Sequence, residues 1–196
     1  MKKSKYRYSN YGRKIKSMDL KVIDNFLPPT IFNRLLNIVE SHMIEWVWNN
    51  NTHYDPSTKK GDNCWMFSQF LYAAPSLPGG PGSHPLYPAF HVIEDYQFDT
   101  RPFKQAMKLK LNLYPNQGKN VSHAKHADIY DKTGEPDERI ITSVFNFHTC
   151  NGSTVVGEKN IDSKANRLIL FDNTIHYGIT QSDLPRRIVL NINVLK

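Results

Sequence analysis

His126-Ala127-Asp128 is a His-X-Asp triplet. On a strand or a strand end, residues i and i+2 point the same way, so this imidazole and this carboxylate could reach one metal ion. Joined by a second imidazole from elsewhere in the chain, they would form a two-histidine, one-carboxylate facial triad of the kind that suits non-haem Fe(II). Three ligands on one face leave open positions for a bidentate 2-oxo acid and for dioxygen. The same donor set also holds catalytic zinc. His123, three residues before His126, is a rival ligand, and a surface or turn histidine is the ordinary alternative for His126 itself.

Such a triplet needs a rigid frame, and the second half of the chain reads as one. Residues 108–114 alternate strictly between apolar and polar, and 140–148, 167–171 and 187–194 are β-rich runs bounded by turn residues. Before them, 20–27 reads as a strand ending at Pro28-Pro29. A helix is predicted over about 29–42, with Ile31, Leu35, Ile38 and Val39 at helical spacing and Phe32, Leu36 and Met43 widening the face. Residues 46–90 read as irregular, with three tryptophans and a Pro/Gly-rich stretch from Pro75 to Pro88. A second helix is predicted over 85–96 and a third over 101–107. Short strands after an α-rich start imply an α+β fold, an antiparallel barrel or sandwich braced by N-terminal helices.

Two strands carry an informative polarity. Leu109, Leu111 and Leu113 share one face, and Lys110, Asn112 and Tyr114 the other. Ile188, Leu190, Ile192 and Val194 likewise oppose Arg187, Val189, Asn191 and Asn193. A simple sandwich would put the polar faces in water. A barrel with helices packed outside would turn them inward to line a cavity.

Further motifs follow in order. They are Val22-Ile23-Asp24-Asn25-Phe26-Leu27, Glu45-Trp46-Val47-Trp48, Leu111-Asn112-Leu113-Tyr114-Pro115-Asn116, then the triplet. After it come Asn146-Phe147-His148, Asn151-Gly152-Ser153-Thr154, Asn166-Arg167-Leu168-Ile169-Leu170-Phe171, His176-Tyr177-Gly178 and Pro185-Arg186-Arg187-Ile188-Val189-Leu190-Asn191. In this order and spacing the chain resembles the 2-oxoglutarate/Fe(II) oxygenase superfamily, especially its small prolyl-4-hydroxylase-like members, including those of phage genomes. The resemblance covers nearly everything from residue 20 onward. Asn151-Gly152-Ser153-Thr154 departs mildly from the Gly-Gly pair often found at that turn.

The resemblance implies a double-stranded β-helix, a jelly-roll or cupin-like barrel. It implies Fe(II) held by His126, Asp128 and His176, the last lying 48 residues beyond the triplet. It implies 2-oxoglutarate as cosubstrate and O2 as oxidant, with hydroxylation of a peptidyl, prolyl or small-molecule substrate and release of succinate and CO2. A basic residue on the final strand then pairs with the far carboxylate of 2-oxoglutarate. Arg186 and Arg187 are both candidates, and strand parity favours Arg187. An arginine fork is the natural bidentate partner for a carboxylate. Tyr114 matches a tyrosine that hydrogen-bonds the cosubstrate, with a core tyrosine as the alternative. Parity also turns Asn146 inward with Val144 and His148, where it could help hold the cosubstrate.

The net charge of +7 suggests nucleic acid until it is located. Seven basic residues and no acid fall in 1–17, and the remaining 18 basic residues match the 18 acidic ones. Residues 1–17 therefore read as a flexible basic tail and 18–196 as a single, neutral catalytic domain. A nucleic-acid-directed oxygenase and a non-catalytic binding module on the same barrel are the alternatives. No apolar run reaches membrane-spanning length. Two cysteines cannot build a disulfide framework, and a cytoplasmic setting is the default expectation. Trp46, Trp48, Tyr54, Trp65, Phe67 and Tyr72 offer an aromatic wall for substrate, or pack a loop on the barrel.

Overall fold

A computed structural model describes residues 20–52, 54–55, 60–61, 64–77 and 82–196. The basic segment 1–17 lies outside them. The alternating runs of the second half become β7 (Gln105–Pro115), β8 (Ile140–Asn146), β11 (Arg167–Asp172) and β13 (Arg186–Leu195). They pair antiparallel in the order β11-β8-β13-β7. β1 (Lys21–Ile23) extends this sheet beyond β11, while β5 (Met66–Ala73) and then β2 (Val47–Asn49) extend it beyond β7, with β6 (Gly82–Ser83) also on β5. A smaller sheet has the order β10-β9-β12, from β9 (Ser153–Val156), β10 (Lys159–Asp162) and β12 (His176–Ile179). β3 (Tyr54–Asp55) and β4 (Lys60–Gly61) pair with each other.

The strand parity decides how these layers stack. Leu109, Leu111, Ile188, Leu190 and Ile192 are fully buried on the outer face of the large sheet, in one cluster with Leu35, Val39, Phe90 and Ile93 of two helices. Those helices are α1 (Pro29–Glu40) and α2 (Tyr87–Thr100). Each such side chain contributes about 1.5–3 kcal/mol by burial. The inner face packs Tyr114, Val144, Ile169 and Val189 against Val156 and Ile161 of the small sheet. Apolar faces thus meet helices, and polar faces turn toward a space between the sheets. The architecture is α+β, a double-stranded β-helix braced by helices.

Several boundaries differ from the sequence expectation, each for a local reason. The first strand stops at Ile23 because Asn25 takes a left-handed backbone (φ 51°) and turns the chain. α1 starts on Pro29, whose missing N–H costs nothing there. It ends at Glu40, where the Ser41 hydroxyl donates to the Ile38 carbonyl, so Met43 lies beyond the helix and is exposed. α2 runs on to Thr100. The third helix over 101–107 does not form. Pro102 forces Arg101 into an extended backbone, and Gln105 and Ala106 pair with Leu195 and Val194. Residues 46–90 are not irregular throughout, since β5 alone contributes eight residues to the large sheet. Its partners, such as Leu113 for Phe67, lie far along the chain, and no local pattern announces such a pairing. The 140–148 run ends at Asn146, and His148 does not face inward. Its ring bridges Glu40 (2.7 Å) and the Ile188 backbone N–H.

Candidate metal and cosubstrate site

His126 lies outside the regular strands, yet its backbone pairs with that of His176 at the start of β12. The His126 N–H donates to the His176 carbonyl (3.0 Å), and the His176 N–H donates back (2.8 Å). This bridge sets the two rings side by side, with centroids 4.7 Å apart. Each Nδ1 is within hydrogen-bonding distance of a backbone carbonyl two residues earlier, Ala124 at 3.0 Å and Thr174 at 2.9 Å. In that tautomer each Nε2 is the unprotonated nitrogen, as a metal ligand requires. One ligand atom from each of His126, Asp128 and His176 falls within 4.8 Å of the others. Two imidazole nitrogens and a carboxylate on one side of a cavity fit a divalent transition metal. His123 is not part of this group. It is buried nearby, with its ring 4.9 Å from that of Tyr114.

Asp128 is held by residues that carry no motif. Asn193 donates to its Oδ2 (3.0 Å) and to the Thr142 hydroxyl (3.0 Å). The Asn173 side-chain carbonyl accepts the Asp128 N–H (3.1 Å), and its amide donates to the Ile129 carbonyl. Lys108 stands 3.6 Å from Oδ1. Burial alone would raise the pKa of this carboxyl, whose side chain is 5% exposed. Lys108, the two imidazoles and the Asn193 hydrogen bond outweigh burial and hold it well below the usual carboxylate range. Burial, reinforced by His176, lowers the pKa of His126 and favours the neutral imidazole. Asn193 was legible as a member of an inward polar face, but nothing in the sequence tied it or Lys108 to Asp128.

At the other end of the cavity lies Arg187, 1% exposed. Its partners are all neutral. Nε donates to the Ser163 hydroxyl, Nη1 to the Ser153 and Ile179 carbonyls, and Nη2 to Asn146 Oδ1 and Thr154 Oγ1, at 3.0–3.2 Å. Burial pushes its pKa down, yet a guanidinium stays protonated in a protein. No carboxylate among the described residues pairs with it. Arg186, by contrast, is exposed on the opposite face and pairs with Glu40. Asn146 sits behind the guanidinium, its Oδ1 also accepting from the Ser163 hydroxyl (3.0 Å). The Tyr114 ring lies 5.8 Å from the guanidinium carbon and lines the cavity. Gly152 permits the approach of Arg187, since a Cβ there would come within 3.2 Å of the arginine Cδ and 3.0 Å of the Ile179 carbonyl oxygen.

The cavity measures about 220 Å³ and joins the two ends, with the histidine–aspartate cluster at one and Arg187 and Tyr114 at the other. Thr52, Met66 and Tyr130 also line it. Among the described residues, the expected aromatic wall does not. Trp48 stacks on Trp65 (4.9 Å) beside Phe67, Tyr72 stacks on Tyr87 (5.0 Å), and Trp46 packs against the core. Cys64 and Cys150 are buried and are not joined in a disulfide. No helix among the described residues is long and apolar enough to cross a membrane.

This fold is shared with the 2-oxoglutarate/Fe(II) oxygenases, prolyl hydroxylases prominent among them. A prolyl-4-hydroxylase from Pseudomonas putida superposes with a TM-score of 0.59 at 12% identity, over 92% of this chain and 93% of its own. A viral collagen prolyl hydroxylase from Paramecium bursaria Chlorella virus-1, solved with 2-oxoglutarate, gives 0.54 at 15% identity, over 90% and 96%. A Trichoplax adhaerens prolyl hydroxylase, solved with a peptide fragment of hypoxia-inducible factor, gives 0.55 at 14% identity, over 90% and 83%. No family model and no curated protein matches the sequence.

Proposed function

We propose that this chain is an Fe(II)- and 2-oxoglutarate-dependent dioxygenase that hydroxylates a peptidyl or small-molecule substrate. One observation carries the reading. A buried arginine with only neutral partners shares a cavity with a two-histidine, one-carboxylate cluster. An uncompensated buried cation is costly, and an anionic ligand at that end removes the cost. A zinc hydrolase would use the cluster but would have no need of Arg187. The peptide held by the Trichoplax adhaerens neighbour supports a peptidyl substrate by analogy of fold.

In this reading His126, Asp128 and His176 hold the iron. Arg187 receives the far carboxylate of 2-oxoglutarate, with Tyr114 beside it and Asn146, Ser163 and Thr154 fixing the guanidinium. Bound there, iron and 2-oxoglutarate supply the oxidising chemistry, in which the cosubstrate and O2 become succinate and CO2 as a substrate C–H becomes C–OH. The residues of this chain bind and orient. Lys108 and Asn193 keep Asp128 ionised and aimed, and the backbone bridge keeps both imidazoles facing it. Residues 18–196 constitute the catalytic domain in this proposal, and the basic segment 1–17 is not required for catalysis.

The test is an anaerobic titration of metal-free protein with Fe(II) and 2-oxoglutarate, following the weak visible charge-transfer band of the chelate. The band is expected in wild type, absent in His176→Ala, and formed only at much higher 2-oxoglutarate in Arg187→Ala. A folded wild-type protein that binds iron and gives no band would sink the reading.

A further inference from the structure

The cavity carries more positive charge than the proposed metal and cosubstrate need. Lys108, Lys110 and Arg187 line it, and Asp128 is the single carboxylate doing so among the described residues. If Fe(II) and 2-oxoglutarate occupy the site, which rests on the reading above, their charges cancel each other, and the three cations against one carboxylate leave two positive charges. Arg187 faces the far carboxylate of the cosubstrate, and Lys108 stands beside Asp128. Lys110 is the cation that faces neither.

Lys110 sits on β7 opposite Asn191 of β13 and Phe70 of β5, and lines the same cavity as the metal cluster. Its Nζ lies 5.6 Å from the centroid of the Phe70 ring and has no hydrogen-bond acceptor or carboxylate partner among the described residues. A cation–π contact is a weak substitute for lost hydration. Burial, with Lys108 nearby, pulls the Lys110 pKa down to about 8, so the amine is still mostly charged at neutral pH. A fully solvated surface lysine would cost nothing to leave alone, whereas this one is half-buried in the wall of the cavity that holds the metal cluster.

We infer that Lys110 is a specificity-determining residue and that the substrate is a small acid, presenting a carboxylate or phosphate group beside the metal. An ammonium serves either anion, as a compact charge with three rotatable donors. The neutral remainder of the domain argues for a small anion entering the cavity rather than for a nucleic acid on the surface.

The test uses the full chain loaded with Zn(II), a redox-inert occupant, and 2-oxoglutarate. Acetate and methylphosphonate are titrated separately, with acetamide as the neutral control. The side-chain NMR signal of Lys110 is followed, assigned by its loss in Lys110→Met. A saturable shift with acetate or methylphosphonate is expected, the stronger response naming the anion. Acetamide is expected to give none, and calorimetry should show about tenfold weaker anion binding to Lys110→Met. The inference is overturned by no saturable shift, by an equal shift with acetamide, or by an anion shift that appears only when 2-oxoglutarate is left out of the loading, which would make Lys110 a cosubstrate contact. The Fe(II) chelate band scores the oxygenase reading separately. A normal band in Lys110→Met with no anion response in wild type sinks this inference alone, and no band in wild type sinks the reading beneath it.

Discussion

His126 and His176 are joined through their backbones as well as through any metal they share, each N–H donating to the other's carbonyl at 3.0 and 2.8 Å. The bridge does not involve the imidazoles. Replacing a ring should therefore leave the frame standing. His176→Ala is expected to keep a wild-type circular dichroism spectrum and a cooperative melt while losing Fe(II) affinity by well over about 100-fold, since second-shell losses alone reach that range. Calorimetry with Fe(II) under anaerobic conditions checks it. Unfolding of the mutant would show that the ring, and not the bridge, supports this corner.

Asn193 and Asp128 form the next contact to test. The Asn193 amide donates to the Asp128 carboxylate and to the Thr142 hydroxyl, and so acts as a positioning residue. Asn193→Ala should lower metal affinity by about 10- to 100-fold, with the affinity for 2-oxoglutarate at saturating metal little changed. Asn193→Leu should behave alike, while Asn193→Gln should restore part of the affinity. A purely structural role would instead move melting temperature without separating metal from cosubstrate binding.

The inward polar faces were legible before the fold was. Alternation in β7 and β13 sorted Arg187 from Arg186 correctly as the residue on the cavity side, because a strand has only two faces and one was plainly apolar. The triplet was legible as a local spacing. His176 was not, because its nearness to His126 exists only once β12 has paired with β9, and resemblance had to supply it. β5 was missed because its pairing with β7 spans 35 to 46 residues and its flanks are rich in Pro and Gly. The helix expected over 101–107 failed for the converse reason. Gln105, Ala106 and Met107 favour a helix locally, but the unpaired edge of β13 recruits them as strand. His148 was misplaced by extending strand parity two residues past the strand end.

Gly152 and Arg187 are in near contact, and the glycine leaves no room for more. Its φ is not in the left-handed region, so the constraint is space alone. A Cβ would lie 3.2 Å from the arginine Cδ and from the Gln181 nitrogen, and 3.0 Å from the Ile179 oxygen. Two of those atoms are backbone and cannot swing away. Gly152→Ala is expected to cost about 1–3 kcal/mol of stability. It should also displace the guanidinium and raise the concentration of 2-oxoglutarate needed to form the chelate band, with Fe(II) affinity unchanged. A mutant with normal cosubstrate affinity would show that the arginine end tolerates displacement.

The last expectation concerns acid. Asp24, just after β1, accepts from Arg167 (2.6 Å) and from Lys164 (2.9 Å), tying the first strand's end to the start of β11. Those hydrogen bonds, Arg167 foremost, hold its carboxyl well below its ordinary value of 3.8. A depressed folded-state pKa means that the unfolded chain binds the proton more tightly. The contribution is therefore complete above about pH 4 to 5 and is lost as pH falls below 3.8 toward the folded-state value. The group is 36% exposed, so solvent screening keeps the effect modest. Asp24→Asn should lower the melting temperature slightly at pH 7, less so at high salt, and the gap from wild type should narrow as pH drops below 3.8. Melts at pH 7, 4 and 3 check this, and a gap that stays constant across them would show that the side chain acts through packing and the Asn25 turn rather than through its charge.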